Sequence, residues 1–206
     1  DILRKKGQKI AAKRADRQAT EGTVLSATNE NSSIGALVAL NCETDFVAKN
    51  KDFISLTREI LNIALTSKPA SLDELKSLNF DASVTVGEKV MEQTGVIGEK
   101  IELSSYELVE AETVASYIHG GNKLATLVGL NKSGNDTLKQ VAKEIAMQVA
   151  AMNPIAIDKD AVSEDVVNKE LEVAKDLAKQ EGKPEAMLEK IALGRLGKFF
   201  KENTLL

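Results

Sequence analysis

The sequence predicts an α+β fold: two related subdomains, each a small antiparallel sheet packed with helices, plus a projecting antiparallel coiled-coil helical hairpin. One observation is that an apolar run followed by a helical apolar stripe occurs twice. Residues 37–41 match residues 127–131 at an offset of 90, and the stripe that begins at Phe53 matches the one that begins at Leu138 at an offset of 85. The other observation is that apolar residues after residue 163 are spaced by four and three, as in a coiled coil. The sequence therefore predicts a duplicated α+β unit and a helical pair.

The first predicted segment is a basic helical linker over residues 1–20. Seven basic residues stand against Asp1 and Asp16 within residues 1–17, which gives this stretch a net charge of +5 and leaves −9 for the rest. Such a run either contacts RNA or an acidic partner, or forms the solvated face of a helix. Residues 1–7 have the pattern of a helix end and the chain does not start with methionine, so we expect it to be a fragment.

The N-terminal core subdomain is predicted over residues 21–112. Residues 23–28 and the apolar run from Ile34 predict a β-hairpin, because Asn and Ser residues separate them. A helix capped by Asn50 or Asp52 follows, since apolar residues recur there at helical spacing. The members of this stripe are Phe53, Leu56, Thr57, Ile60, Leu61 and Ala64.

Two short helices and a third strand complete this subdomain. Ser71–Glu74 and Thr85–Glu88 each have the spacing of a capping box, which predicts a helix start. Leu72, Leu75 and Leu78 form the inner face of the first of these helices. Residues 100–104 alternate between polar and apolar, which predicts a half-buried strand.

The C-terminal core subdomain is predicted over residues 113–155. Residues 113–119 and 123–131 predict a hairpin, because Gly120 and Gly121 supply the positive φ that a tight turn requires. A second helix follows and closes at Asn153–Pro154. Its stripe consists of Leu138, Val141, Ala142, Ile145, Ala146 and Val149.

Residues 156–206 are predicted to form the coiled-coil hairpin and a truncated C-terminal end. Ser163 is the predicted N-cap of the outgoing helix, and Gly182 with Pro184 reverses the chain. Leu177 widens the outgoing seam on one side. The seam residues are Val167, Leu171, Ala174 and Ala178, and the returning stripe is Leu188, Ile191, Leu196 and Phe199. The chain stops on apolar residues, which suggests that the C-terminal end is cut short.

The segment Asn41–Asn50 is predicted to be an exposed loop with a function. It joins a strand to a helix and is five residues longer than the equivalent loop of the second unit. Extra length of this kind, carrying an aromatic residue and two acids, indicates function. Spacing leaves two interpretations of Phe46 open: the ring and Val47 pack back onto the local core, or the ring stays exposed.

Composition narrows the possible functions. The chain has 206 residues, a net charge of −4 and one cysteine. A protein with a negative net charge is not expected to bind nucleic acid directly by neutralising many of its phosphates. With no apolar run near eighteen residues and no signal peptide, the sequence indicates a cytoplasmic or organelle-matrix protein without membrane association, and we expect it to be cytoplasmic.

The sequence offers no convincing catalytic, cofactor or metal site. Cys42 and His119 are the one possible thiol–imidazole pair, but Cys42 ends an apolar strand as a small buried residue would. Glu43 and Asp45 lack further ligands at metal-binding spacing, and a Gly-rich phosphate loop is missing. We therefore expect no catalysis, cofactor or small-molecule substrate. His119 stays open between a structural and a functional role.

Three stretches carry a family resemblance. Asn41–Lys49 resembles the signature of elongation factor Ts, whose core is Thr-Asp-Phe-Val followed by Ala-Lys. Ser116–Gly120 and Gln180–Glu185 are similar to a hairpin of its second subdomain and to the tip of its helical hairpin. The resemblance implies a guanine nucleotide exchange factor that binds GDP-bound elongation factor Tu in translation elongation. It also implies a small helical module ahead of residue 1.

The resemblance also assigns residues to the exchange role. It implies that Phe46 enters the nucleotide domain of the GTPase and dislocates Mg²⁺ and the phosphates, with Asp45 as the polar partner that fixes docking. Thr44 and Val47 shape the same segment, and His119 makes a further partner contact. Mg²⁺ and GDP belong to the partner.

Two other function classes compete with this interpretation. A passive assembly or chaperone-type adaptor would bind a GTPase without driving exchange, so that replacing Phe46 would weaken binding but not selectively affect nucleotide release. An enzyme would show turnover that depends on Cys42 or His119.

Overall fold

The computed structural model describes residues 2–14 and 16–206, without the side chains of residues 2, 3, 4 and 11. Asp1 and the side chain of Arg4, which belong to the predicted basic run, lie outside the described residues. The strands are β1 (Glu21–Thr28), β2 (Ile34–Cys42), β3 (Glu102–Glu110), β4 (Thr113–His119) and β5 (Leu124–Leu130). The α-helices are α1 (Ile2–Lys13), α2 (Asp45–Ala48), α3 (Lys51–Ser67), α4 (Leu72–Ser77), α5 (Val86–Ile97), α6 (Asp136–Met152), α7 (Glu164–Gln180) and α8 (Leu188–Asn203).

The chain divides into two compact units, Asp1–Ala150 and Ala151–Leu206. Both sheets belong to the first unit, and α7 and α8 belong to the second. The predicted α+β class with two small antiparallel sheets packed with helices is confirmed. None of the helices within the described residues is long and apolar enough to cross a membrane.

The first sheet has the strand order β1–β2–β3, with both pairs antiparallel. The predicted β1–β2 hairpin is confirmed, with Thr28 opposite Gly35. Asn29 stabilises its turn, because its side-chain oxygen accepts hydrogen bonds from the N–H groups of Ser33 at 2.9 Å and Ile34 at 3.0 Å. An Asn side chain that binds backbone groups a few residues ahead is a common way of fixing a turn.

β3 extends to Glu110, well beyond the strand predicted over residues 100–104. Its pairing with β2 shifts by one residue at Ser104, which forms a β-bulge. Because the bulge moves the following side chains to the other face, Leu103 and Tyr106 are both buried although they lie three residues apart. The alternation of polar and apolar residues is interrupted at the bulge, so the sequence pattern missed the second half of the strand.

The core of the first unit lies between the first sheet and α3. The predicted α3 stripe is confirmed in full, and it packs toward Val38 and Leu40 of β2, which are both completely buried. Burying a side chain of this size contributes about 1.5–3 kcal/mol. Asn50 is the N-cap, since its side-chain oxygen accepts the N–H of Asp52 at 2.7 Å.

The two predicted capping boxes differ in geometry. Thr85 and Glu88 form the full reciprocal pair, in which each side chain accepts the backbone N–H of the other residue. Ser71 also accepts the N–H of Glu74, but the Glu74 carboxylate reaches past it to the N–H of Ala70 at 2.7 Å. The helix starts were therefore predicted correctly, whereas the reciprocal bond at Ser71 was wrong.

α1 packs against α5 at Gly7, which is buried. A Cβ atom added at Gly7 would lie 2.0 Å from the carbonyl oxygen of Met91, so the two backbones meet closely at this point. The view of the basic run as a solvated helix is wrong for this face. Lys6, Lys9 and Lys13, which lie away from this contact, are exposed to solvent.

The second sheet is the β4–β5 hairpin. Its turn contains the predicted positive φ values, 60° at Gly120 and 66° at Gly121. α6 has the same length as α3, and both of its ends lie 85 residues after the ends of α3. The predicted repeat of a hairpin and a long helix is therefore present, although the first sheet has three strands and the second has two.

α6 buries less of its predicted stripe than α3 does. Ala142 and Ala146 are buried, but Val141 is 41% exposed, so the prediction is wrong at that position. The remaining stripe residues, Leu138, Ile145 and Val149, are half-buried. A sheet of two strands is narrower than one of three strands and covers a narrower face of its helix.

In the second unit, α7 and α8 pack together as the predicted helical hairpin. The buried residues of the pair are Ala174, Ala178, Leu188, Ala192 and Leu196. Leu177 does not widen the seam as predicted, because it is 46% exposed. Ser163 occupies the predicted N-cap position, although its hydroxyl makes no capping hydrogen bond within the described residues. Gly182, with φ 74°, reverses the chain before Pro184.

We expect Gly194→Ala to raise the free energy of unfolding of the second unit by about 0.5–1 kcal/mol. Gly194 lies inside α8, where glycine is unfavourable relative to alanine by about that amount. Among the described residues, no atom outside the chain neighbours and the adjacent backbone of α8 lies within 4 Å of a Cβ built there, so the added methyl group meets open space. Urea denaturation of both proteins measures the change, and a loss of stability would contradict this helix packing.

Candidate functional site

The segment after β2 is a structured turn, not the loop that the sequence predicts. Residues 43–50, here called the Phe46 turn, contain the one-turn helix α2 between β2 and α3. Phe46 is 83% exposed, whereas Val47 is half-buried against the core and Ala48 is buried. The interpretation that both residues pack back onto the core is thus right for Val47 and wrong for Phe46.

One buried and one partly buried hydrogen bond attach the Phe46 turn to the first sheet. Thr23 of β1 donates from its hydroxyl to the carbonyl oxygen of Ala48 at 2.9 Å. At the start of the turn, Cys42 donates from its thiol to the carbonyl oxygen of Thr44 at 3.2 Å. Since Ala48 is held inward at one end and Cys42 at the other, the backbone between them is fixed with Phe46 facing solvent.

A second attachment links the turn to the segment before β3. The Glu99 carboxylate accepts the backbone N–H groups of Glu43 and Thr44, each at 3.1 Å. It also accepts the Thr44 hydroxyl at 2.7 Å. In return, the Glu43 carboxylate accepts the N–H of Lys100 at 2.7 Å. The two segments therefore hold each other through hydrogen bonds in both directions, between residues 43 and 44 on one side and residues 99 and 100 on the other.

The same Glu43 carboxylate holds the end of the segment after α1. Arg14 lies 2.7 Å from Glu43 Oε1 and Oε2, and Arg17 lies 3.2 Å from Oε2. The Glu43 side chain is 10% exposed, and burial works against its charge. The Lys100 N–H and the two guanidinium groups outweigh burial and hold the pKa of the Glu43 carboxyl below its ordinary value. Glu43 is therefore a charged acceptor at neutral pH.

Asp45 forms an ion pair within the turn. Lys49 Nζ lies 2.7 Å from Asp45 Oδ2, one helical turn away. This hydrogen bond and the ammonium charge hold the pKa of the Asp45 carboxyl below its ordinary value. Asp45 is 44% exposed, so its carboxylate is charged and accessible beside the Phe46 ring.

The β4–β5 turn lies at the same end of the first sheet as the Phe46 turn. Val24 of β1 donates its N–H to the carbonyl oxygen of Asn122 at 2.8 Å, and Lys123 forms an ion pair with Glu21. Glu21 in turn pairs with Cys42, the residue that precedes the Phe46 turn. The structure therefore brings the Phe46 turn and the β4–β5 turn to one edge of the first unit.

His119 ends β4 and is exposed at this edge. Its Nδ1 lies 2.8 Å from the Tyr117 hydroxyl, and the two ring centroids are 5.8 Å apart. The contact orients the imidazole ring without burying it.

Cys42 and His119 do not form the thiol–imidazole pair that the sequence left possible. Cys42 is completely buried and bound to Thr44, whereas His119 is exposed and bound to Tyr117. Burial, with a contribution from the Glu99 carboxylate, raises the pKa of the Cys42 thiol to about 11, so the thiol is protonated at neutral pH. Within the ranges 2–14 and 16–206, no His, Cys, Asp and Glu side chains are grouped closely enough to hold a metal ion.

Sequence reasoning missed several residues that support the site. Glu99, Arg14 and Thr23 bind the Phe46 turn but lie 20 or more residues from it in the chain. Glu99 follows Gly98, the residue with φ 83° at which α5 ends. The place of Glu99 in the sequence does not indicate that its side chain binds the Phe46 turn. A carboxylate next to a helix end is usually solvated, so no local signal could have distinguished it.

The sequence of this chain is similar to those of known proteins. The family model described as "Elongation factor TS" matches residues 43–206. A protein named Elongation factor Ts from Amoebophilus asiaticus is 54% identical over 205 residues, which cover 100% of this chain and 74% of the relative. A protein of the same name from Christiangramia forsetii is 50% identical over 205 residues, which cover 100% of this chain and 73% of the relative. The chain therefore belongs to the elongation factor Ts family of translation elongation factors.

Proposed function

We propose that this protein is a guanine nucleotide exchange factor that binds GDP-bound elongation factor Tu and promotes GDP release during translation elongation. The observation that carries the proposal is Phe46, a large apolar ring that is 83% exposed on a turn held by its neighbours. Single apolar residues on a surface are common, but an exposed aromatic ring on a restrained backbone is suited to enter a partner.

Phe46 acts as a wedge in this proposal. A ring of this size buries roughly 150–250 Å², which corresponds to about 4–6 kcal/mol at about 25 cal/mol/Å² before desolvation and ordering costs. That gross gain exceeds the roughly 1–3 kcal/mol of a typical coupling between two sites. One inserted ring can therefore supply the energy that distorts the Mg²⁺ and phosphate sites of the partner.

The neighbouring residues have supporting roles. Asp45, charged and accessible, is the polar contact that fixes docking, and Thr44 and Val47 hold the turn from the side of the protein. The exchange factor needs no catalytic group, cofactor or small-molecule substrate of its own, because GDP and Mg²⁺ are bound by the GTPase. It would work in the cytoplasm, where translation takes place.

Exchange of this kind is negative linkage. If this protein weakens GDP binding to elongation factor Tu by some factor, then GDP weakens binding of this protein by the same factor. A partner that binds equally well with and without GDP cannot shift this equilibrium. An exchange factor therefore differs measurably from a passive adaptor.

The experiment is stopped-flow measurement of fluorescent GDP release from elongation factor Tu, with and without the protein. We expect the release rate to rise with protein concentration and to reach a plateau. A complex that forms without faster release would contradict the proposal and support the passive adaptor.

We expect His119→Ala to weaken binding to elongation factor Tu about two- to fivefold. His119 is exposed and lies at the same edge as the Phe46 turn, while its contact within the chain is with Tyr117. Exposed substitutions change stability by less than about 0.5 kcal/mol, so the melting temperature should hardly move. Tyr117→Phe is the control, because it removes the hydroxyl contact and leaves the imidazole. Unchanged affinity with a lower melting temperature would instead indicate a structural histidine.

A further inference from the structure

We propose that Glu99 is a positioning residue that fixes the Phe46 turn, and this inference rests on the exchange role proposed above. Glu99 lies outside the Thr-Asp-Phe-Val segment. Its carboxylate makes three hydrogen bonds to Glu43 and Thr44, the two residues that lead into α2. It thereby determines the direction in which the backbone enters the helix that carries Phe46.

α2 depends on such support from outside. It has four residues, and isolated helices shorter than about 12 residues are marginal in water. Thr44 occupies its N-cap position, where a threonine hydroxyl commonly accepts a hydrogen bond from the first turn. Here that hydroxyl donates to Glu99 at 2.7 Å instead. The start of α2 is therefore held by a residue 55 positions away in the chain, and its own cap is not used.

Glu99 is itself held in place by its neighbour. The N–H of Lys100 donates to Glu43 Oε1 at 2.7 Å, so the chain next to Glu99 is bound to the turn that Glu99 binds. The Glu99 carboxylate accepts hydrogen bonds from two N–H groups and a hydroxyl, and hydrogen bonds to a carboxylate are about twice as strong as neutral ones. The arrangement restrains both segments relative to each other.

This restraint affects exchange because a wedge must be rigid. A side chain that changes direction freely loses that freedom on insertion, and this entropy cost reduces the energy left for distorting the partner. The segment from Thr44 to Phe46 is short, so a shift at Thr44 moves the ring directly. Without Glu99, the ring would still be present but its direction would vary.

The first test measures GDP release from elongation factor Tu at a saturating concentration of the protein, where differences in affinity no longer affect the release rate. We expect Glu99→Ala to lower the plateau rate about fivefold, the lower end of the range for couplings between sites. Glu99→Gln should recover most of the rate, because its amide oxygen accepts the two N–H groups and its NH₂ group can donate to the Thr44 hydroxyl. Glu107→Ala is the matched control, since it removes an exposed carboxylate of β3.

The second test repeats Glu99→Ala in a Phe46→Ala background. If Glu99 acts through Phe46, removing it should cause no further slowing once the ring is gone. An additional fivefold loss in that background would show that Glu99 contacts the partner itself and would overturn the inference. So would an unchanged plateau for Glu99→Ala, with or without a lower melting temperature.

A third measurement uses the protein without its partner. Amide hydrogen exchange at Glu43 and Thr44 should become faster in Glu99→Ala and stay close to the original rate in Glu99→Gln, because Glu99 protects both N–H groups. Unchanged exchange would overturn the inference. Failure of the proposed function has a different signature, since wild-type protein would then not accelerate GDP release at all.

Discussion

Phe46→Ala is expected to lower the plateau rate of GDP release from elongation factor Tu about tenfold. At saturating protein, a change in affinity does not affect this rate, so the plateau reports what the ring does within the complex. If the ring gains its contacts mainly after GDP and Mg²⁺ have loosened, its removal slows release more than association. A tenfold change corresponds to about 1.4 kcal/mol, well within the gross energy of one buried ring.

The fold of the Phe46→Ala variant should be intact. The ring is 83% exposed, so little packing is lost, and the turn keeps its hydrogen bonds through Thr23 and Glu99. The expected change in unfolding free energy is below about 0.5 kcal/mol. Val96→Ala is the control, because it truncates another exposed apolar side chain of the first unit.

Two outcomes would contradict this expectation. Equal plateau rates for the wild type and Phe46→Ala would falsify the wedge mechanism. A ring that contacts the GTPase equally with and without bound GDP cannot shift the equilibrium between these two states. A loss of several kcal/mol in stability would mean that the ring is packed inside the protein in solution.

Gly7→Ala is expected to lower the free energy of unfolding by about 1–2 kcal/mol. The added Cβ would lie 2.0 Å from the Met91 carbonyl oxygen, a backbone atom that cannot rotate away, so α1 must move off α5. Overpacking costs about 1–3 kcal/mol, and a 2.0 Å contact with a backbone atom belongs to the upper part of that range, so the cost outweighs the roughly 1 kcal/mol that alanine gains over glycine in a helix. Displacement of α1 also strains the ion pair between Arg14 and Glu43.

Urea denaturation measures this change, and Gln8→Ala is the matched control. Gln8 is the next residue of α1 and is exposed, so its truncation adds no contact and should leave stability within about 0.5 kcal/mol. If Gly7→Ala instead stabilises the protein as an ordinary helix substitution would, then α1 does not pack against α5 as described.

The elements that repeat a local pattern could be predicted from the sequence. The α3 stripe is buried in full because six apolar or small residues share one helical face, which a period of 3.6 makes visible. Asn153–Pro154 predicted the end of α6, which closes at Met152, and Gly120 and Gly121 predicted the turn between β4 and β5. In each case the information lies within a few residues or in a direct repeat.

The conformation of the Phe46 turn depends on contacts between distant parts of the chain and could not be predicted from the sequence. Phe46 and Val47 are adjacent and both apolar, yet one is exposed and the other packs on the core, because Ala48 is held inward by Thr23 of another strand. Glu99 reaches Thr44 across 55 residues of chain. Hydrogen bonds between distant segments depend on where the fold places them, and they leave no periodic or local pattern in the sequence that could predict them.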